Sequence, residues 1–596
     1  MLSRTFKLRF RRLLRLRKRQ VENLGLQAEE GLERNFFRRL DRLVTVRRFV
    51  ITWVLLVVLL GGCMVAQLRV LNGAYQTLQP APGGTYSEGV LGSFTNANPI
   101  YATSPVDAAV SHLIFAGLFT YNEQNQFVGD LAKDQIDIND RGNVYTVHLK
   151  PHLTWQDGQP LTADDVAFTY HTIQNADAQS PLNSSWAGVT VTATDVRTIT
   201  FTLPNALSSF KYSLTNGIIP EHILKDVSMP ELRSSSFNTS KPVGAGPFAW
   251  QAIEVGTGDI NTRDEQIALK PFVQYHGGAP KLNSFIIHAF PDENTMVKSF
   301  RKQELTAMSG LTTVPSTLKK DSNVVVNNFP LNAEVMTFFK TTQGVLADTK
   351  VRQALVQAAD RNAIISELGY PTRAVTEPFL QGQLGFNKND EQPTYNPTAA
   401  AAALDADGWK VGANGIRTKD GQPLTFKLYA QDNGEYGMVA KALSGQWRKV
   451  GVDAQVVLQN GGDFQNTLAF HSYDALLYGI SVGIDPDVFV YWDSSQGDIR
   501  AANRLNFSEY KSTTSDASLE AGRTRSDPAL RVIKYQAFLQ AWQSDAPALG
   551  LYQPRYLYIT HGQVAGLNEH TLTDDTDRYD NVQNWMIRRV WSDTDK

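Results

Sequence analysis

Apolar positions along the chain follow three spacings. The first is an unbroken run: Phe49 to Ala66 reads FVITWVLLVVLLGGCMVA, with Arg47 and Arg48 before it and no charge until Arg69. Eighteen residues at 1.5 Å each predict a helix of about 27 Å, enough to cross a bilayer core. The second is the pattern of strands. Val144 to Leu149, Val189 to Val196 and Thr198 to Leu203 are rich in β-branched and aromatic residues and bounded by turn residues. The third is the three-to-four spacing of helices. It predicts helices over Pro105 to Phe115, Ala163 to Gln174, Val351 to Glu367, Asn396 to Trp409 and Tyr436 to Val450, the last followed by a strand from Asp453 to Leu458. Asn396 ahead of Pro397 is an N-cap signal. Val21, Leu24, Leu32, Phe36, Leu40 and Leu43 predict a short amphipathic helix within 21–44. Strands and helices mixed over about 500 residues, without a repeat, predict two α/β lobes rather than one barrel.

Composition changes this picture in two places. A single cysteine in 596 residues excludes an intramolecular disulfide and a multi-thiolate metal site. A single long apolar run excludes a polytopic transporter. The net charge of -2 conceals an asymmetry: residues 1–48 carry 15 Lys/Arg against 5 Asp/Glu, leaving 42 basic and 54 acidic side chains beyond them. Basic residues ahead of an apolar run place the N-terminus in the cytoplasm and the acidic bulk outside. The basic stretch is therefore read as a topology determinant on the inner membrane surface, with no nucleic acid as partner. Leu60-Gly61-Gly62-Cys63 also spells a lipobox, which would make Cys63 the acylated first residue of a lipoprotein. An uncleaved anchor over 49–68 and lipidation at Cys63 both tether the bulk of the chain to the outer face. Residues 69–83 read as a Pro/Gly-rich linker.

Specific motifs begin beyond the linker. Gly117-Leu118, Gly129-Asp130-Leu131-Ala132, and Trp155-Gln156-Asp157-Gly158 through Pro160 to Asp164-Asp165-Val166 follow one another. Ile219-Pro220-Glu221-His222 and Pro242-Val243-Gly244-Ala245-Gly246-Pro247-Phe248 come next. Asp348 to Leu355 with Asp360-Arg361, and Tyr395-Asn396-Pro397 leading to Asp407-Gly408-Trp409, complete the series. In this order they resemble the family 5 extracellular solute-binding proteins, the peptide, nickel and oligosaccharide receptors of bacterial ABC importers. Most of these motifs also have a structural reading. Asp157-Gly158 is a hairpin turn, Thr162 a helix N-cap, and Gly244 and Gly246 mark a close backbone approach. Arg352 and Asp360 are read as ion-pairing residues.

The resemblance implies an α/β fold of two lobes in the Venus-flytrap manner, with an extra subdomain inserted in lobe I. It divides the chain into lobe I at 84–333, lobe II at 334–550 and a return to lobe I at 551–596. Hinge strands fall near Phe329-Pro330-Leu331 and Leu549 to Tyr552, and ligand binds between the lobes. Peptide receptors of the family hold the ligand's amino group with an aspartate in a GW--D segment. Tyr478-Gly479-Ile480-Ser481-Val482-Gly483 is the matching stretch here, so the tryptophan is replaced by Ile480 and the aspartate by Gly483. Asp485 and Asp487 follow within four residues as substitute charges. The resemblance further nominates Ser93, Thr95 and Asn96 in the loop after the first strand, and Trp186, Tyr478, Ser481, Gly483, Asp485, Tyr491 and Trp492 as cleft residues. A peptide is the expected cargo, an oligosaccharide or nickel chelate the alternative, and ABC permease subunits the expected partners.

An exterior hydrolase is the rival from another class. The chain is read as carrying no HExxH, no GxSxG, no P-loop and no GxGxxG between strand and helix, and no pair of carboxylates is marked out by spacing. The ten histidines are scattered apart from His148 and His152. No enzyme activity, metal or cofactor is expected.

Overall fold

The computed structural model describes residues 47–256, 264–501 and 504–593. The amphipathic helix and most of the basic segment expected before residue 49 lie outside them. The described chain forms two units, one of residues up to 79 together with those from 589, the other of residues 80–588.

The first unit is built on a helix, Arg47–Tyr75, whose apolar side chains from Ile51 to Val70 are exposed. It outlasts the apolar run, because nothing in Gln67 to Leu71 breaks a helix. The expected linker is correspondingly shorter. Residues up to Tyr75 are helical, and Gln76–Ala81 forms a strand paired with Arg588–Asp593. Cys63 lies within the helix and is exposed.

In the second unit, lobe I is a seven-stranded sheet. Its spatial order is Val324–Pro330, Arg555–His561, Ala307–Ser309, Thr85–Leu91, Ser284–Phe290, Glu265–Pro271 and Phe248–Val255. Thr85–Leu91 runs parallel to both of its neighbours. A four-stranded antiparallel sheet, Ala132–Ile138, Val144–Leu149, Thr198–Thr202 and Thr190–Asp195, forms the inserted subdomain. Its helix Ala163–Gln174 starts at Thr162, whose hydroxyl and Asp165 cap each other's backbone, and buries Val166, Tyr170 and Ile173 along one face. One core runs from Tyr86 and Phe285 in the large sheet to Trp155, Tyr170 and Phe201 in the subdomain. The two meet tightly at Gly244, where a Cβ would collide with the Ile114 carbonyl oxygen.

Lobe II is a five-stranded sheet in the order Asp453–Gln459, Thr425–Gln431, Ala475–Ser481, Ala333–Phe339 and Ala548–Tyr552. Alternate residues of Ala333–Phe339 feed opposite cores: Val335 and Phe339 join Trp447, whereas Met336 and Phe338 join Trp542. The predicted helix from Val351 to Glu367 is two helices, Thr349–Gln357 and Arg361–Leu368. Asp360 caps the second through the Ala363 N–H, and that local bond outweighs the continuing apolar spacing. Arg352 is not an ion-pairing residue. It is buried, and its guanidinium donates to the carbonyls of Leu346, Ala347, Asp545 and Ala546, closing the end of helix Pro528–Asp545. Helix Pro397–Ala406 begins at Asn396, which caps Ala399.

Candidate functional site in the interlobe cleft

The chain crosses between the lobes at Leu331-Asn332 and at Gln553-Pro554. Leu331 N–H donates to Pro554 O at 3.0 Å and Gln553 Nε2 to Leu331 O at 2.8 Å. The second crossing lies just beyond the expected Leu549 to Tyr552. Those residues belong to strand Ala548–Tyr552 and pair with Val335 to Phe338, which places them in the lobe II sheet. Asn332 ties three segments together at the hinge. Its N–H donates to Leu572 O, its amide to Thr573 Oγ1 at 2.9 Å, and its carbonyl accepts from Val482 and Gly483.

On the lobe II side, strand Ala475–Ser481 brings Ser481 and Gly483 to the hinge, whereas Tyr478, opposite Met336 in mid-strand, packs its ring on Phe464 and Phe507 against the lobe II core. Gly483 has φ +65°, and its carbonyl accepts from Gln383 Nε2 at 2.8 Å. Tyr491 donates to Ser481 O at 2.7 Å and so braces the end of this strand. Two other candidates leave the group. Asp485 is buried and forms a two-pronged pair with Arg531, at 2.7 and 2.6 Å, so its charge is neutralised inside lobe II and does not replace the missing aspartate. Trp492 is fully buried between Phe338 and Trp542 and is a core residue. The expectation that no GxSxG is present is corrected here: Gly479 to Gly483 spells it, the spacing of a serine-hydrolase nucleophile turn. The geometry does not follow the spacing: Ser481 ends a strand that runs to the hinge instead of entering a helix, and among the described residues no histidine pairs with its hydroxyl.

On the lobe I side, Ser93, Thr95 and Asn96 lie in the loop before helix Pro105–Ile114. Buried Asp107, in that helix's first turn, accepts from Thr95 N–H at 2.7 Å, Thr95 Oγ1 at 2.6 Å and Asn96 N–H at 2.9 Å. Asn96 Oδ1 accepts from Asn98 N–H. The polar groups of Thr95 and Asn96 therefore shape the loop, while Ser93 stays exposed. Trp186 is a core residue of the subdomain, packed on Tyr170 and Phe210, because the loop that carries it folds back under helix Ala163–Gln174.

The lobes also touch away from the hinge. Ser208 N–H donates to Arg523 O at 2.8 Å, and Ser209 Oγ to Asp487 Oδ2 at 2.8 Å. Arg523 lies 3.2 Å from the same carboxylate. Beside this clasp is a cavity of about 260 Å³, walled by Tyr145, Lys211 and Tyr212 from lobe I and by Ile484, Asp485 and Arg531 from lobe II. A second cavity of about 280 Å³ lies in lobe I, walled in part by His112, Asp130 and the run Asp574 to Asp580. None of the expected site residues lines it. The sequence signal for it is acidic density alone: Asp574, Asp575, Asp577 and Asp580 fall within seven residues.

Two α/β lobes, joined by two crossings and enclosing cavities where they meet, define a hinged solute-binding protein. The chain belongs to the bacterial extracellular solute-binding proteins, family 5, whose description matches residues 126–501. It is 25% identical to the oligopeptide-binding protein AppA of Bacillus subtilis over 544 residues, covering 90% of this chain and 97% of that one. Protein XP55 of Streptomyces lividans is 26% identical over 454 residues, with 75% of this chain and 78% of the other covered. Among solved structures, AppA in complex with a nonapeptide superposes with a TM-score of 0.66 at 25% identity, covering 86% of this chain and all of the other. NikZ from Campylobacter jejuni, in complex with Ni(L-His), superposes with a TM-score of 0.69 at 25% identity, covering 84% and 99%.

Proposed function

We propose that this protein captures a peptide between its lobes at the outer face of a membrane and hands it to the permease of an ABC importer. The observation that carries the reading is similarity to an oligopeptide-binding protein across nearly the full length of both chains, joined to a cleft of the matching fold. A nickel chelate is the second cargo, favoured by the likeness to NikZ. Peptide stands ahead of it because the oligopeptide-binding relative aligns over 90% of this chain and 97% of its own. The helix Arg47–Tyr75, apolar and exposed over a bilayer's thickness, supports a single-span tether with the lobes outside.

The test uses the full chain extracted from membranes in detergent. Denaturation should release peptides identifiable by mass spectrometry. A sugar series or a nickel chelate in their place would overturn the peptide assignment, and hydrolysis of a bound peptide would overturn the receptor reading. Intact mass distinguishes the tethers: an uncleaved chain fits the helical anchor, whereas a chain starting at acylated Cys63 fits the lipid anchor.

A further inference from the structure

The cavity of about 280 Å³ in lobe I has no role in the reading above. Stretches distant in sequence wall it, among them helix Pro105–Ile114, strand Phe119–Tyr121 with Asp130 beyond it, Thr215 to Gly217, Tyr275, and the segment from Asp574 to Gln583. Its charge is one-sided. Asp130, Asp574, Asp577 and Asp580 line it, and among the described lining residues His112 is the only basic side chain.

Local bonds account for three of the four carboxylates. Asp574 caps the turn that follows it, accepting from Thr576 N–H at 3.1 Å. Asp577 Oδ2 accepts from the N–H groups of Thr573 and Asp574 at 2.9 and 2.7 Å. Asp130 Oδ1 lies 2.6 Å from His276 Nε2. Asp580 is different. Its side chain is 2% exposed, with Oδ1 accepting from Thr120 Oγ1 at 3.2 Å and lying 3.5 Å from His112 Nε2. Its Oδ2 is buried without a partner. A buried carboxylate oxygen with no donor is costly and points to a missing countercharge. Burial holds the Asp580 carboxyl well above the usual range, with the Asp130 and Asp574 charges adding to it, and burial beside Asp580 pushes Asp577 up to about 8.

The wall also selects the kind of cation. Tyr121, Tyr275 and Tyr579 line the cavity with the carboxylates, and aromatic faces beside anionic groups suit an organic cation. A metal ion suits it less, since no three ligands converge among the described residues. The cavity lies next to the cleft. Thr573, just ahead of Asp574, is bonded to Asn332, whose carbonyl takes the Gly483 N–H.

We propose that this cavity seats a cationic group of the cargo, an alkylammonium or guanidinium, so that lobe I supplies the countercharge that lobe II lacks at Gly483. The proposal rests on the peptide reading and sharpens it to cargo whose amine enters lobe I at Asp580, with Asp130 and Asp577 beside it.

The experiment titrates the full chain in detergent with a pool of arginine-free tripeptides, and with the same pool after every amine has been acetylated. A charge-assisted bond of this kind gives about tenfold or more in affinity. The native chain should prefer the free pool by that factor. Asp580→Asn should bind both pools alike, at the level of the acetylated pool, and Asp130→Asn should reduce the preference too, which decides the matter should Asp580→Asn melt early. Equal binding of both pools by the native chain overturns the proposal and leaves the peptide reading standing. So does a tenfold preference that survives in both variants. Binding of neither pool overturns the peptide reading and the proposal with it.

Discussion

Glu334 is an acid in a place made for an apolar side chain. It sits on the first strand beyond the hinge, fully buried, with neither carboxylate oxygen partnered. Burial holds its carboxyl well above the usual range, and the charge of Glu377 adds to the effect. Glu377 is pushed up to about 8 for the same first reason. Both pairs of values have the same sign: the folded carboxyl keeps a proton that the unfolded chain releases from about pH 4.5 upward. Stability from these groups is whole below that pH and drains as pH rises, for Glu377 through about 8. Glu334→Gln should therefore raise the melting temperature at pH 8 and leave it nearly unchanged at pH 4, by calorimetry at the two values. A variant that lowers it at pH 8 would mean that the ionised carboxylate has a partner. Residue roles were the least legible part of the sequence. Trp186 and Trp492 read as cleft aromatics but are core, because a ring's burial depends on what folds over it. Asp485 read as a substitute clamp, yet the Arg531 that consumes its charge lies 46 residues away.

Local signals at the scale of elements were more legible. The Thr162 cap, the Asp157-Gly158 turn and the Asn396 start all act within three or four residues, and the structure shows each of them, with Gly158 at φ +88°. The cavity of lobe I was not legible, since it brings together residues as distant as Thr120 and Asp580, 460 apart, and no periodicity links them. What fixes its C-terminal wall is a buried pair. Arg578 Nη2 lies 2.8 Å from Glu88 Oε1, with the two side chains 1% and 0% exposed. Tyr558 donates to Glu88 Oε2 and Tyr86 meets Tyr558 at 2.7 Å. Removing one partner of such a pair strands the other. Arg578→Ala should cost about 3–5 kcal/mol in denaturant unfolding, whereas an exposed arginine such as Arg500 should cost under about 1 kcal/mol when truncated. A loss for Arg578→Ala as small as that for Arg500 would show that Glu88 finds water.

At the scale of the whole molecule, closure depends on contacts that open when the lobes part. Away from the hinge a clasp joins the lobes through Ser209 Oγ to Asp487 and Ser208 N–H to Arg523 O, with Arg523 bracing the Asp487 carboxylate within lobe II. Asp487→Ala should shift the population toward open lobes, weakening cargo affinity about tenfold through faster release with little change in capture rate. Stopped-flow binding of the tripeptide pool separates the two rates, and an unchanged release rate would remove the clasp from the closing mechanism. The two-lobed plan itself was legible through ordered motifs spread along the chain. The hinge was placed a few residues early because the strand Ala548–Tyr552 gives no sign in its sequence of which lobe it joins.

The Glu88–Arg578 pair spans 490 residues, and strand Arg555–His561 enters the lobe I sheet between Val324–Pro330 and Ala307–Ser309 only after the whole of lobe II. Lobe II, by contrast, draws its sheet from one continuous stretch, Ala333 to Tyr552. In a chain that emerges from its N-terminus, lobe II has all of its strands before lobe I has its last, so the first lobe to appear is the last to be finished. During that interval the edges of strands Val324–Pro330 and Ala307–Ser309 stand unpaired on the side that Arg555–His561 will fill, open to any other strand that reaches them first.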